Sequence, residues 1–275
     1  MPRVLTEAQL RGYRRDGFVA PLDAIAPERA ATHLAMIEAY EAETGEDVSV
    51  RIRVRAVLAF KWLLDLARTP QVAGALQDTI GPNVILFLSG VWSKTPAAGK
   101  FVSWHQDGAY NPFDRNVGAT AWIAFTDSTP ERGCIRVIPG SHLLDGLAHE
   151  ETYHPDNLLS RGQTVVGADE AAAVDMVLRP GQFSIHHEQV VHGSAPNVSK
   201  ARRLGISLAC VPTEAVPLSG LKSGVLIAGE NVPGHWELNR EPAFDLDPVG
   251  MAELDRVQQA YRDPSKTIRA TEVAG

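Results

Sequence analysis

Three side chains far apart in the sequence, His105, Asp107 and His192, are of the types that hold a metal ion. In Trp104-His105-Gln106-Asp107 the imidazole and the carboxylate stand two positions apart, and on a strand such residues project from one face. A third ligand must come from elsewhere, and His192 in Val191-His192-Gly193-Ser194 is the strongest choice. Two imidazoles and one carboxylate on one side of an octahedral ion leave three positions open. That set suits non-haem Fe(II), whereas zinc favours a closed tetrahedral set and calcium more oxygens. A bare H-x-D triplet also describes any strand with a polar face, so the weight comes from residues further along the chain. Eleven residues after His192, the run Arg203-Leu204-Gly205-Ile206-Ser207-Leu208-Ala209 alternates. One face carries Leu204, Ile206, Leu208 and Cys210, suited to packing against helices. The other carries Arg203, Gly205, Ser207 and Ala209, and is expected to leave a void beside the guanidinium. A carboxylate there would be gripped by two parallel hydrogen bonds.

Other residues invite both a functional and a plain reading. His186 and His187 also lie near His192 and fall on opposite faces of one strand; lacking a well-spaced arginine, they read as packing or supporting groups. Arg202 has the parity of the apolar face and is expected in solvent at a strand end. His142 either braces the turn of Pro139-Gly140-Ser141-His142 or faces a substrate. Lys94 and Lys100 read as solvated lysines, although Lys94 could reach an anion, and Tyr110 could wall a substrate pocket. Arg51, Arg53 and Arg55 alternate with Ile52 and Val54, as on a solvated edge strand or a cationic patch. His235 and Trp236 lie in a segment that could close over a site or simply pack.

The elements that must position these groups follow from periodicity. Thr6 with Gln9 resembles a capping box, and apolar residues at helical spacing predict helices at 27–43, 61–67 and 70–79. After Gly81 the period shortens to two, predicting strands at 84–94, 102–107, 118–126, 134–138, 174–178, 182–187 and 203–212, with a last helix at 248–262. Helices first and short strands afterwards predict a mainly β fold, an antiparallel sandwich or barrel with helices packed on one side. One domain over 1–275 is expected, with helical support at 1–82, the core at 83–215 and an extension at 216–275. A hydrophobic fraction of 44% and a charged fraction of 21% are ordinary for a soluble protein. A net charge of -7 disfavours general affinity for nucleic acid or anionic membrane. Cys134 and Cys210 sit in apolar runs and read as buried thiols, which suits the cytoplasm.

The chain resembles the phytanoyl-CoA dioxygenase family of Fe(II)/2-oxoglutarate oxygenases. The likeness rests on WHQD at 104–107, TAWIAF at 120–125, the GCIRVIPGSH run at 133–142, NLLSRGQ at 157–163, LRPGQFSIHH at 178–187, VHGSAPN at 191–197 and the arginine of RRLGIS. The opening LTEAQLRGYRRDGF is similar too, so the likeness runs along nearly the whole chain in order. It implies a double-stranded β-helix, with iron on His105, Asp107 and His192 and the distal carboxylate of 2-oxoglutarate on Arg203. Ser194 and Trp122 fall where family members line the cosubstrate pocket. Related halogenases have a small residue at the carboxylate position, so Asp107 implies hydroxylation or another oxidation by dioxygen. The implied partner is a small-molecule substrate of unspecified identity, acted on by a monomer or homodimer. The rival readings are an epimerase or cyclase on the same barrel and a non-catalytic jelly-roll binding protein.

Overall fold

The computed structural model describes residues 3–262 apart from 111–112, 145, 160–161 and 219–221. Ser160 and Arg161 of the NLLSRGQ stretch, and the end of the chain, therefore lie outside it. Six helices are described: α1 (Glu7–Asp16), α2 (Pro27–Thr44), α3 (Val48–Arg51), α4 (Lys61–Ala67), α5 (Pro70–Ile80) and α6 (Pro248–Arg262). Thr6 caps α1 in the expected reciprocal box with Gln9, and Thr69 caps α5, so each helix starts with its free backbone donors partly satisfied.

The strands are β1 (Phe18–Asp23), β2 (Val84–Lys94), β3 (Val102–His105), β4 (Ala119–Ala124), β5 (Ile135–Val137), β6 (His149–Glu151), β7 (Gln163–Val165), β8 (Val174–Met176), β9 (Gln182–His187), β10 (His192–Ser194), β11 (Arg203–Pro212), β12 (Ser223–Ala228) and β13 (Glu237–Leu238). They form a seven-stranded sheet in the order β1-β9-β4-β11-β2-β12-β13, a four-stranded sheet β3-β10-β5-β8, and the pair β6-β7. The pairings are antiparallel except β12 with β13. The fold is mainly β with flanking helices, a jelly roll.

The alternation of β11 explains how the layers assemble. Leu204, Ile206, Leu208 and Cys210 are fully buried in one core with Ile37, Leu63, Val72 and Leu76 of the helices. The opposite face looks between the sheets, where Trp122 and Ala124 pack with Ile135, Val137 and Met176 of the smaller sheet. Both cysteines are buried and unpaired.

Two expectations change, and one open choice is decided. The arginine alternation at 51–55 is not a strand: Arg51 ends α3, Arg55 has a left-handed φ of 62°, and its guanidinium is buried against Asn239 and the Ser223 carbonyl. Arg53 reaches across to the Leu158 carbonyl. Arg202 is not free in solvent; it makes two hydrogen bonds to Glu41 of α2, at 2.6 and 2.8 Å, and one to Ser93 at 2.7 Å. Trp236 packs against Ile85, Val211 and Ala215, with its indole donating to the Ala215 carbonyl, while His235 is exposed. Among the described residues no helix is long and apolar enough to cross a membrane.

Candidate metal centre

His105 ends β3 and pairs in register with His192 at the start of β10, so the two imidazoles stand side by side with centroids 4.1 Å apart. Nδ1 of His105 lies 2.9 Å from the Ser103 carbonyl, and Nδ1 of His192 lies 3.0 Å from the Val190 carbonyl. These contacts fix both rings with Nε2 free, the second-sphere arrangement that orients ligating histidines. Asp107 has left the strand and opens a short 3-10 turn, Asp107–Ala109. The two-residue spacing thus works differently from simple strand parity. Gln106 is tied away by a hydrogen bond to the Gln189 carbonyl, and the turn swings Asp107 back toward His105.

Asp107 Oδ1 is 3.4 Å from His105 Nε2 and 3.7 Å from His192 Nε2. The three ligand atoms lie within 4.8 Å of one another. Neighbouring ligands about 2.1 Å from an octahedral ion would sit roughly 3 Å apart, so a small inward adjustment closes the set on one ion. Burial alone would raise the Asp107 carboxyl. The imidazoles of His192, His105 and His186 outweigh it and hold the carboxyl well below its usual range. Burial, with His105 and His186 beside it, holds His192 well below the usual imidazole value. An anionic carboxylate beside a neutral imidazole is the donor state a divalent cation needs.

Arg203 and Lys94 face each other in register on β11 and β2, 2% and 1% exposed. Burial brings the Arg203 guanidinium down to about 10. Burial, and then Arg203 itself, bring the Lys94 amine down to about 6. Lys94 Nζ donates to Ser194 Oγ at 2.6 Å and to the Ala195 carbonyl at 2.5 Å. The Arg203 guanidinium carbon lies 4.4 Å from the centroid of the Trp122 ring, and Arg203 Nε has no partner. Among the described residues no carboxylate pairs with either side chain. The expected void beside Arg203 is thus partly filled. Trp122 covers it, and that is possible because Gly205, diagonal to Trp122 on β11, has no side chain: a Cβ there would come within 2.0 Å of the indole. Arg203 thus stays cationic under an aromatic cover, and the Lys94 amine beside it is held toward its neutral form.

His105, Asp107 and His192 are therefore brought together; Ser194 follows His192 by two positions on β10, and Trp122, two positions from Thr120 on β4, stacks on Arg203. His142 does not face this space; it lies against Gly17 and the Arg14 carbonyl and braces the end of α1. Tyr110 stands edge-on to His105 at 6.0 Å, with its hydroxyl accepting from the Gln163 amide. Thr120, which donates to Asp107 Oδ2 at 2.8 Å, is not singled out by the sequence pattern; His186 is a supporting group as expected, whereas Lys94, expected in solvent, is buried because it faces Arg203 between the sheets. Strand parity carried the signal for Thr120: it shares the inward face of β4 with Trp122.

The phytanoyl-CoA dioxygenase family profile matches residues 13–205. Over 233 residues the chain is 28% identical to a probable alpha-ketoglutarate-dependent hypophosphite dioxygenase of Stutzerimonas stutzeri, covering 81% of this chain and 80% of that protein. It is 26% identical over 152 residues to the human peroxisomal phytanoyl-CoA dioxygenase, covering 54% of this chain and 45% of the relative, so it spans less than half of that protein's length. The solved apo structure of the non-heme monooxygenase ThoJ superposes with a TM-score of 0.82 at 26% identity, covering 96% of this chain and 98% of that one.

Proposed function

Because the chain belongs to the phytanoyl-CoA dioxygenase family, we propose that it is an Fe(II)- and 2-oxoglutarate-dependent oxygenase that hydroxylates an unactivated C–H bond of a small-molecule metabolite. The observation that carries this reading is the convergence of His105, Asp107 and His192 on one small space, in a fold that also buries the Arg203 guanidinium with no carboxylate on it among the described residues. Iron and 2-oxoglutarate, when bound, supply the oxidising chemistry, which couples loss of carbon dioxide from the keto acid and formation of succinate to oxidation of the substrate by dioxygen.

The protein's own residues set the stage for that chemistry. His105, Asp107 and His192 would hold the ion as its three protein ligands. Arg203 would take the distal carboxylate of the keto acid, with Lys94 opposite it and donating to the Ser194 hydroxyl. Trp122 shields that contact from water, which strengthens it. With Asp107 supplying the third protein ligand, no position is set aside for a halide, which favours hydroxylation over halogenation. Positioning of the substrate carbon decides which bond is oxidised.

The test is succinate release, screened over a metabolite library with and without Fe(II). Substrate-coupled succinate is expected from the wild-type protein. Asp107→Ala should abolish it and lower iron retention, and full turnover by that variant overturns the reading. Epimerised or cyclised product in place of a hydroxylated one would keep the family chemistry and replace the outcome proposed here.

A further inference from the structure

His186 has no part in the reading above. It stands on β9 opposite Thr120 of β4, is 1% exposed, and neither ring nitrogen makes a well-aligned hydrogen bond. A polar ring buried without partners is costly and is kept where it faces something. Here it faces the metal centre: Nε2 lies 3.4 Å from Asp107 Oδ2, and the ring is 4.4 Å from that of His192, tilted by 49°.

The two oxygens of Asp107 live in different surroundings. Oδ1 is the atom nearest His105 and His192. Oδ2 points the other way, accepting from Thr120 and approached by His186. A carboxylate with both oxygens unengaged can grip a cation through both. Doing so here would consume one of the three positions that the keto acid and dioxygen require. We propose that His186 is a positioning residue that, with Thr120, engages Oδ2, so that Asp107 offers the ion Oδ1 alone. This rests on the metal-centre reading above. Its consequence is confined to how many positions stay open, and therefore to keto-acid binding more than to metal binding. Both donors belong to the large sheet, while His105 and His192 belong to the small one, so the carboxylate is set by contacts from both layers.

Two substitutions separate this role from simple packing. His186→Phe keeps a ring of similar size and removes the N–H, whereas His186→Gln keeps an N–H donor. The probes are Fe(II) followed by 2-oxoglutarate under anaerobic conditions, read by the visible charge-transfer band of the chelated keto acid. The d–d spectrum of the Co(II)-loaded protein provides a second readout. His186→Phe should weaken 2-oxoglutarate binding by about tenfold or more, the scale of a lost hydrogen bond to a charged group. Its Fe(II) affinity should stay close to that of the wild type, and its Co(II) spectrum should shift. His186→Gln should titrate like the wild type, and Thr120→Val should move in the same direction as His186→Phe. An unchanged titration and spectrum in His186→Phe overturn the positioning role, and so does a His186→Gln variant as defective as His186→Phe. Wild-type protein that gives no charge-transfer band at all overturns the metal-centre reading, and this inference with it.

Discussion

Glu188 carries a charge into a place that resists it. It is 4% exposed and accepts a hydrogen bond from the Gly118 amide at 2.8 Å. Burial lifts its carboxyl from 4.5 to about 7 against the pull of the Gly118 amide, and the charge of Asp107 adds to the rise. The phenol of Tyr13, buried without a partner, is raised by the same burial and by Glu188 itself. Because the folded value lies above the unfolded one, Glu188 contributes stability that is fully present below pH 4.5 and is lost as pH rises through about 7. The shift sets a ceiling of roughly 3 kcal/mol on that loss. Glu188→Gln keeps an acceptor for Gly118 and cannot ionise. Urea denaturation from pH 4 to 8 should therefore show the variant losing less stability across that window than the wild type; parallel curves would refute the assignment. None of this is visible in the sequence. His105, Asp107, His192 and Arg203 were legible because each sits in a patterned run. Glu188, His186, Lys94 and Thr120 owe their surroundings to strands brought together from distant parts of the chain.

The strands with the cleanest alternation are those whose limits the sequence foretold. β2, β9 and β11 begin and end where expected, because an inward face and an outward face are both buried and each residue has only one side to take. β1 went unread because Pro21 interrupts it. The structure places β1 at the edge of the large sheet, where a missing N–H is tolerated. The alternation at 51–55 misled for the opposite reason: a left-handed residue and a short helix reproduced a strand-like pattern without a strand. Within β11 the small residues serve the neighbouring strand, since Gly205 makes room for Trp122. Gly205→Ala should force the indole off Arg203, with a loss of about 1–3 kcal/mol from overpacking. Chemical denaturation would show that loss, and a keto-acid titration should weaken in parallel. A variant of wild-type stability and affinity would mean that the aromatic lid is dispensable.

At the scale of the whole molecule, the candidate centre is shared between layers. The small sheet brings His105 and His192, and the large one brings Thr120, Trp122, Arg203 and Lys94. A ligand set that spans both sheets clamps them when filled, and a ligand at 100 times its dissociation constant adds about 2.7 kcal/mol. Fe(II) with 2-oxoglutarate should therefore raise the melting temperature by roughly 5 °C or more in a protein of this size. Differential scanning fluorimetry would show it, and Asp107→Ala should erase the iron-dependent part. An equal rise in the variant would place the binding elsewhere.

The neighbouring arginines at the start of β11 have a sharper consequence. Arg202 is tethered to a surface helix, and Arg203, one position on, is committed to the interior. A strand that slipped by a single residue would trade the two, sending the tether inward and the anchor outward, and would turn every leucine of the run to the wrong side. The bend ahead of it acts as the stop: the Asn197 side chain donates to the carbonyls of Lys94 and Ala201 at 2.9 and 2.8 Å and so fixes the count. Insertions that the exposed loops absorb without harm would, between 197 and 203, put the reading frame of the barrel's longest pairing out of step.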